Sequence, residues 1–118
     1  MVLKIQQNYW VFDTDKNVFE EGSGEKRLED ALSEWGKIGF GTRIHRDAPG
    51  KDGKWGGTLH YLSIERTSRD RLYIYIDFGS IENYKGAVTE LKRAINNSGY
   101  KVSSGKLNEG AFFIRRVH

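Results

Sequence analysis

Residues 58–78 read TLHYLSIERTSRDRLYIYIDF, two largely apolar runs separated by a short polar segment. The alternation of apolar and polar residues predicts one strand over 58–66 and another over 72–78. The polar segment 67–70 is short enough to be a tight turn, so we expect the two strands to form an antiparallel hairpin.

The second strand of this hairpin has two different faces. The alternate residues that form one face are all apolar: Leu72, Ile74, Ile76 and Phe78. The residues between them form the other face: Tyr73, Tyr75 and Asp77. This pattern predicts a sheet that buries one face against a core and leaves the other partly open to solvent.

The sequence after the hairpin predicts a helix and a second pair of strands. Apolar residues keep helical period over 80–98, where Ser80 is a suitable N-cap and Gly99 suits the left-handed residue that ends a helix. Residues 100–104 and 111–117 are predicted to form two strands around a turn.

The sequence before the hairpin predicts two more strands and one helix. The strands are expected over 2–14 and 38–46, and residues 47–57 are rich enough in glycine to be a loop. The helix is expected over 25–36, with Ser23 as its N-cap and Gly36 as its end.

The resulting order is β-α-β-β-β-α-β-β over a single domain, residues 1–118. It predicts an α+β fold of two layers, with a mostly antiparallel sheet of five or six strands and both helices packed on one face. The apolar run 111–114 in the last strand suggests an uncovered sheet edge through which a homodimer could form.

Composition narrows the class of protein. The chain has no cysteine, which excludes disulfides, thiol catalysis and cysteine-based zinc sites. With no signal peptide and no apolar run of membrane-spanning length, we expect a soluble cytoplasmic protein without a membrane partner. No motif for a cofactor is present, so none is expected.

Charge is unevenly distributed along this small basic chain. The net charge is −4 over 1–36, +4 over 37–71 and +3 over 72–118. The basic middle and end favour an anionic partner. The acidic start is a candidate face for binding a basic protein, with a solvated helix face as the alternative.

The loop around residues 43–57 is the first candidate site. Glycines there separate cations from one tryptophan, and the candidates are Arg43, His45, Arg46, Lys51, Lys54 and Trp55. Cations neutralise phosphates, and an exposed indole offers a stacking surface for an unpaired base. In the alternative interpretation, the loop is solvated and Trp55 packs back onto the sheet edge.

The open sheet face is the second candidate site. Tyr73 and Tyr75, with Arg115 or Arg116 on the last strand, would form an aromatic and cationic surface of the kind that RNA-recognition domains use. The segment KIGFGTRI at 37–44 resembles the aromatic strand motif of those domains over about five residues. It departs in having Ile38 after the lysine and Thr42 in place of a second aromatic, and we assign no family.

Catalysis is the weakest of the functional hypotheses. A metal-independent ribonuclease would need a base, an acid and a cation, which His45, His60 and Arg43 could supply. The spacing of the three histidines, including the terminal His118, does not select this arrangement, and no metal site is expected.

Three functions are therefore open. The first is a small non-catalytic domain that binds nucleic acid, either RNA or single-stranded DNA, through the loop and the sheet face. The second is a protein-binding inhibitor, immunity protein or adaptor of a mobile element, and the third is the ribonuclease.

Overall fold

The computed structural model describes residues 12–13, 19–40, 53–57, 59, 61–79 and 81–117. Within them lie two helices and four longer antiparallel strands, which confirms the α+β class.

The first helix, α1 (Gly24–Phe40), starts where the sequence predicts but continues four residues further. The Ser23 hydroxyl accepts a hydrogen bond from the Lys26 amide at 3.1 Å, which confirms the predicted N-cap. The predicted end at Gly36 is wrong, because the last turn buries Phe40 and burial outweighs the low helix propensity of glycine.

The longer helix also contradicts the first three residues of the strand predicted over 38–46. Residues 38–40 are helical, so the segment that resembles the aromatic strand motif of RNA-recognition domains begins in the last turn of α1. Residues 41–46 lie outside the described part of the chain, and the count of five or six strands stays a prediction.

The predicted hairpin is confirmed. Strands β2 (Tyr61–Ser68) and β3 (Arg71–Asp77) pair antiparallel around a turn at residues 69–70. A two-residue strand, β1 (Phe12–Asp13), runs parallel to the start of β2.

The second helix, α2 (Tyr84–Asn97), begins later than predicted. Its N-cap is Asn83, whose side-chain oxygen accepts a hydrogen bond from the Gly86 amide at 2.9 Å. Asn83 therefore takes the capping role predicted for Ser80. Gly99 follows the helix with a positive φ of 89°, as expected of the residue that ends it.

Strands β4 (Tyr100–Gly105) and β5 (Ala111–Arg116) complete the sheet in the order β1-β2-β3-β5-β4. Because β5 pairs with β3 on one side and with β4 on the other, it is an interior strand. The expectation that β5 offers a free edge for a homodimer is therefore wrong. The neighbouring edge strand β4 is short and carries an exposed lysine, features that discourage edge-to-edge pairing.

Both helices pack on the same face of the sheet. The core joins Leu28 and Leu32 of α1 and Leu91 and Ile95 of α2 to the apolar parity of the strands. On the strands, the buried members of this core are Leu62, Ile64, Leu72, Ile74, Ile76, Tyr100, Phe112 and Ile114. The opposite parity of β2, β3 and β5 thus forms the open face of the sheet.

None of the helices in the described ranges is long and apolar enough to cross a membrane.

Candidate functional site

Four aromatic side chains lie together on the open face of the sheet. The rings of Tyr61 and Tyr75 are 5.5 Å apart in edge-to-face geometry, and those of Tyr73 and Phe113 are 5.0 Å apart in tilted geometry. Tyr75 is 41% exposed, and the other three are half-buried. We call these four residues the aromatic platform, because they offer ring surface to a flat ligand.

Three cations form a row beside the aromatic platform. Arg71 of β3 pairs in register with Arg115 of β5, which in turn pairs with Lys101 of β4. Side chains at paired positions have β-carbons about 5 Å apart. We call Arg71, Arg115 and Lys101 the cation row.

Arg71 connects the cation row to the aromatic platform. Its guanidinium carbon lies 4.3 Å from the centre of the Phe113 ring, in cation–π geometry. Its Nη2 atom also donates a hydrogen bond of 3.2 Å to the Ser104 hydroxyl. These contacts hold one positive charge at the border of the aromatic surface.

The cation row places like charges opposite each other on neighbouring strands. Like charges in directly opposite positions of a sheet repel each other. Within the described residues none of the three cations has a carboxylate partner, and the buried Nε of Arg71 has no hydrogen-bond partner. Such local conflicts are typical of sites where function outweighs stability.

Trp55 is buried, so the expectation that it offers an exposed stacking surface is wrong. It is 4% exposed and packs 5.5 Å from Trp35 and 5.4 Å from Phe40, measured between ring centres. The absence of a side chain at Gly39 makes room for its indole. The aromatic ring is therefore part of the core.

Backbone hydrogen bonds hold residues 53–57 against the end of α1. The amides of Lys54 and Trp55 donate to the carbonyls of Ile38 and Gly39, both at 2.8 Å. The Trp55 carbonyl accepts from the Asn83 amide at the start of α2. This segment thus bridges the two helices, which is why its indole lies inward.

Lys54, predicted to contact nucleic acid, has an internal partner. Its ammonium group lies 2.6 Å from a Glu90 carboxylate oxygen, and Arg93 contacts the other oxygen of the same carboxylate at 2.9 Å. The hydrogen bond from Lys54 lowers the pKa of Glu90. These three residues border a groove of about 350 Å³ between the helices, which Ile38 and Trp35 also line.

Of the two arginines proposed for the sheet face, only Arg115 lies there. Arg116 has the opposite parity and points to the helical side, where it contacts Glu25 at 2.9 Å and the Tyr100 hydroxyl at 3.3 Å. Arg116 therefore belongs to a structural ion-pair network.

Ion pairs also involve three residues of the acidic face predicted for the start of the chain. Glu25 is 7% exposed and binds Arg66 at 3.0 Å as well as Arg116. Lys26 contacts both Glu29 and Asp30. The other five acidic groups stay outside this pairing or outside the described side chains: Asp13, Asp15, Glu20, Glu21 and Glu34.

The remaining predicted site residues lie outside the described part of the chain. They are Arg43, His45, Arg46, Lys51, His60 and His118. The ribonuclease hypothesis rests on these histidines and stays a prediction. In the described ranges no group of three or more histidine, aspartate or glutamate side chains could hold a metal ion.

The open face contains four residues that the sequence interpretation missed: Tyr61, Arg71, Lys101 and Phe113. Parity alone places Phe113 on the same face as Arg115. Placing Arg71 and Lys101 beside Arg115 requires the strand order β3-β5-β4, which residue patterns do not encode directly.

Comparisons with models of known families, with curated proteins and with solved structures found no match for this chain.

Proposed function

We propose that this protein is a small non-catalytic domain that binds single-stranded nucleic acid, RNA or single-stranded DNA, across the open face of its sheet. The observation that carries the proposal is the cation row of Arg71, Arg115 and Lys101 directly beside the aromatic platform. In this arrangement the cations contact phosphates and the rings stack on bases.

The two halves of the site have complementary roles. Neighbouring residues of one parity are about 7 Å apart along a strand, comparable to the distance from a phosphate to its base. A nucleotide with its phosphate at the cation row therefore reaches the Tyr73–Phe113 pair with its base. Tyr75, the most exposed ring of the platform, would stack on the next base.

The loop contributes less to this proposal than the sequence predicts. We exclude Trp55 from the proposed interface because it is buried, and we exclude Lys54 because it pairs with Glu90. Arg43, His45, Arg46 and Lys51 stay in the proposal as additional cations.

The test is fluorescence anisotropy with a labelled oligouridine of about ten nucleotides, a length within the site sizes of β-sheet platforms. Affinity should fall steeply between about 50 mM and about 200 mM salt, with a logarithmic slope of about −2 for three phosphate contacts. No binding to any single strand at low salt would refute the proposal.

Variants of the open face test which of its residues contact the oligonucleotide. Arg115→Ala should reduce the salt slope by about 0.7, while Lys92→Ala, which removes an exposed charge from α2, should leave it unchanged. Tyr75→Ala should weaken binding about fivefold or more. Its control is Ile38→Ala, which removes a 52% exposed apolar side chain on the helical side.

The protein-binding alternative has weaker support. It calls for a contiguous acidic or apolar surface, and the acidic groups at the start of α1 are largely paired with Lys26, Arg66 and Arg116.

A further inference from the structure

We infer that the open face prefers guanine at one position and that Glu65 recognises it. This inference rests on the proposed function, since it concerns the same surface. Glu65 is an exposed residue of β2, and it lies directly opposite Tyr73 in the register of the hairpin.

One row of side chains across the sheet places this carboxylate at the end of the aromatic surface. Glu65 pairs in register with Tyr73, Tyr73 with Phe113, and Phe113 with Ser104. Paired side chains have β-carbons about 5 Å apart. A base that stacks on Tyr73 therefore presents an edge to Glu65.

The cation row orients the nucleotide so that this edge is the base-pairing one. Arg71, Arg115 and Lys101 lie across β3, β5 and β4, whereas Glu65 lies on β2. The phosphates are attracted to the cations and repelled by the carboxylate. A phosphate held by Arg115 and Lys101 lies across the sheet from Glu65, so a base that stacks on Tyr73 extends along the strands and also toward β2, with the sugar and phosphate behind it.

Carboxylate chemistry selects guanine among the four bases. An ionised carboxylate has two oxygens that only accept hydrogen bonds. Guanine presents two adjacent donors, N1–H and the N2 amino group, on its base-pairing edge. Adenine and cytosine place an acceptor nitrogen beside their single amino group, and uracil places a carbonyl on each side of its N–H.

Glu65 is available for this contact. It makes no ion pair and no hydrogen bond through its side chain within the described residues, unlike Glu25, Glu29 and Glu90. A carboxylate without a donor would weaken binding of a polyanion at this place. Donors on the base compensate for that repulsion.

The experiment compares labelled oligouridines that differ at one position. Four hexamers carry guanine, adenine, cytosine or uracil in a uridine background, and their dissociation constants are measured by anisotropy with the full chain. The guanine hexamer should bind about tenfold more tightly than the uridine hexamer, a typical effect of one bidentate base contact.

Two variants separate this inference from the proposed function. Glu65→Gln should abolish the guanine preference while binding to the uridine hexamer is unchanged or tighter, because the repulsion is gone. Glu34→Gln makes the same charge change on an exposed position of α1 and should keep the preference.

Each outcome has one meaning. Salt-dependent binding without a guanine preference, or a preference that survives in Glu65→Gln, overturns the inference and leaves the proposed function standing. Failure to bind all four hexamers overturns the proposed function itself. Circular dichroism of both variants, expected to match the unmodified protein, excludes loss of fold as the cause.

Discussion

Gly39 determines where Trp55 packs. A β-carbon at position 39 would overlap the six-membered ring of the Trp55 indole. A helix interior ordinarily favours alanine over glycine by about 1 kcal/mol. Overpacking a filled core costs about 1–3 kcal/mol, so the steric term outweighs the gain in helix propensity.

We therefore expect Gly39→Ala to lower the free energy of unfolding, as measured by urea denaturation. A double variant that adds Trp55→Leu should show less than the sum of the two single effects, because the smaller side chain relieves the overlap. Increased stability of Gly39→Ala would contradict the observed packing.

Tyr84 has a phenol whose ionisation is coupled to folding. Burial raises its pKa above the ordinary value of about 10, and its hydroxyl donates to the Asn108 carbonyl at 2.7 Å. A raised pKa in the folded state means that this contribution to stability is complete below the unfolded pKa. It is lost as pH rises through the folded pKa.

The measurement is a spectrophotometric titration of phenolate absorbance. The difference between the unmodified protein and Tyr84→Phe isolates this one phenol, and its midpoint should lie above 10. The variant should also lose less stability than the unmodified protein as the pH rises beyond that value. A midpoint at or below 10 would contradict the desolvation of this phenol.

Glu25 ties α1 to two strands that are remote from it in sequence. Its two carboxylate oxygens contact Arg66 of β2 and Arg116 of β5, so the start of the helix is anchored at one end of the sheet. Removing one member of such a network leaves the other charges without compensation. The partial exposure of both arginines reduces this cost through screening by solvent.

We expect Glu25→Gln to destabilise the protein by about 1–3 kcal/mol in thermal or urea unfolding, a typical loss for a broken network. Glu21→Gln, on an exposed residue just before the helix, is the matched control and should change stability by less than about 0.5 kcal/mol. Equal effects of the two variants would show that the network is not formed.

Elements were predictable wherever a single periodic pattern covered them. The hairpin of β2 and β3 and the helix α2 follow from alternation and from helical period, with ends shifted by a few residues. The last turn of α1 was not predictable, because Gly36 and Gly39 weaken the local helix signal. That turn forms because Phe40 is buried, a contact that depends on distant residues.

The open face shows the same division within the candidate site. Tyr73, Tyr75 and Arg115 follow from parity in two strands, whereas Arg71 and Lys101 join them only through the pairing of β3, β5 and β4. For Trp55, the local sequence wrongly predicts an exposed side chain. A glycine-rich, cationic environment resembles that of an exposed loop, yet hydrogen bonds to α1 and α2 draw this segment inward.

At the scale of the whole domain, we expect the cation row to lower the stability of the fold and to strengthen the binding of nucleic acid. Arg115 is the central cation, with a like charge in register on each side. Replacing it with threonine, a good strand former, removes both repulsions. We expect Arg115→Thr to unfold at the same or a higher temperature than the unmodified protein while binding oligouridine more weakly.

Differential scanning calorimetry at low salt checks the first half of this prediction, and anisotropy checks the second. High salt should reduce the difference in stability, because the repulsion between exposed cations is screened. Marked destabilisation of Arg115→Thr would mean that the arginine is held by partners and is not available for phosphates. Lys92→Thr is the control for the loss of a single positive charge.

Residue periodicity in this chain was sufficient to identify the class of fold, the hairpin, the second helix and the two faces of β3. These properties depend on neighbours within a few positions, so they can be read locally. The order β3-β5-β4, the inward position of Trp55 and the pairing of Glu25 depend on contacts between residues far apart in sequence. Such contacts form because folding buries apolar surface and pairs opposite charges between distant residues. A local sequence pattern contains no information about which distant residues meet.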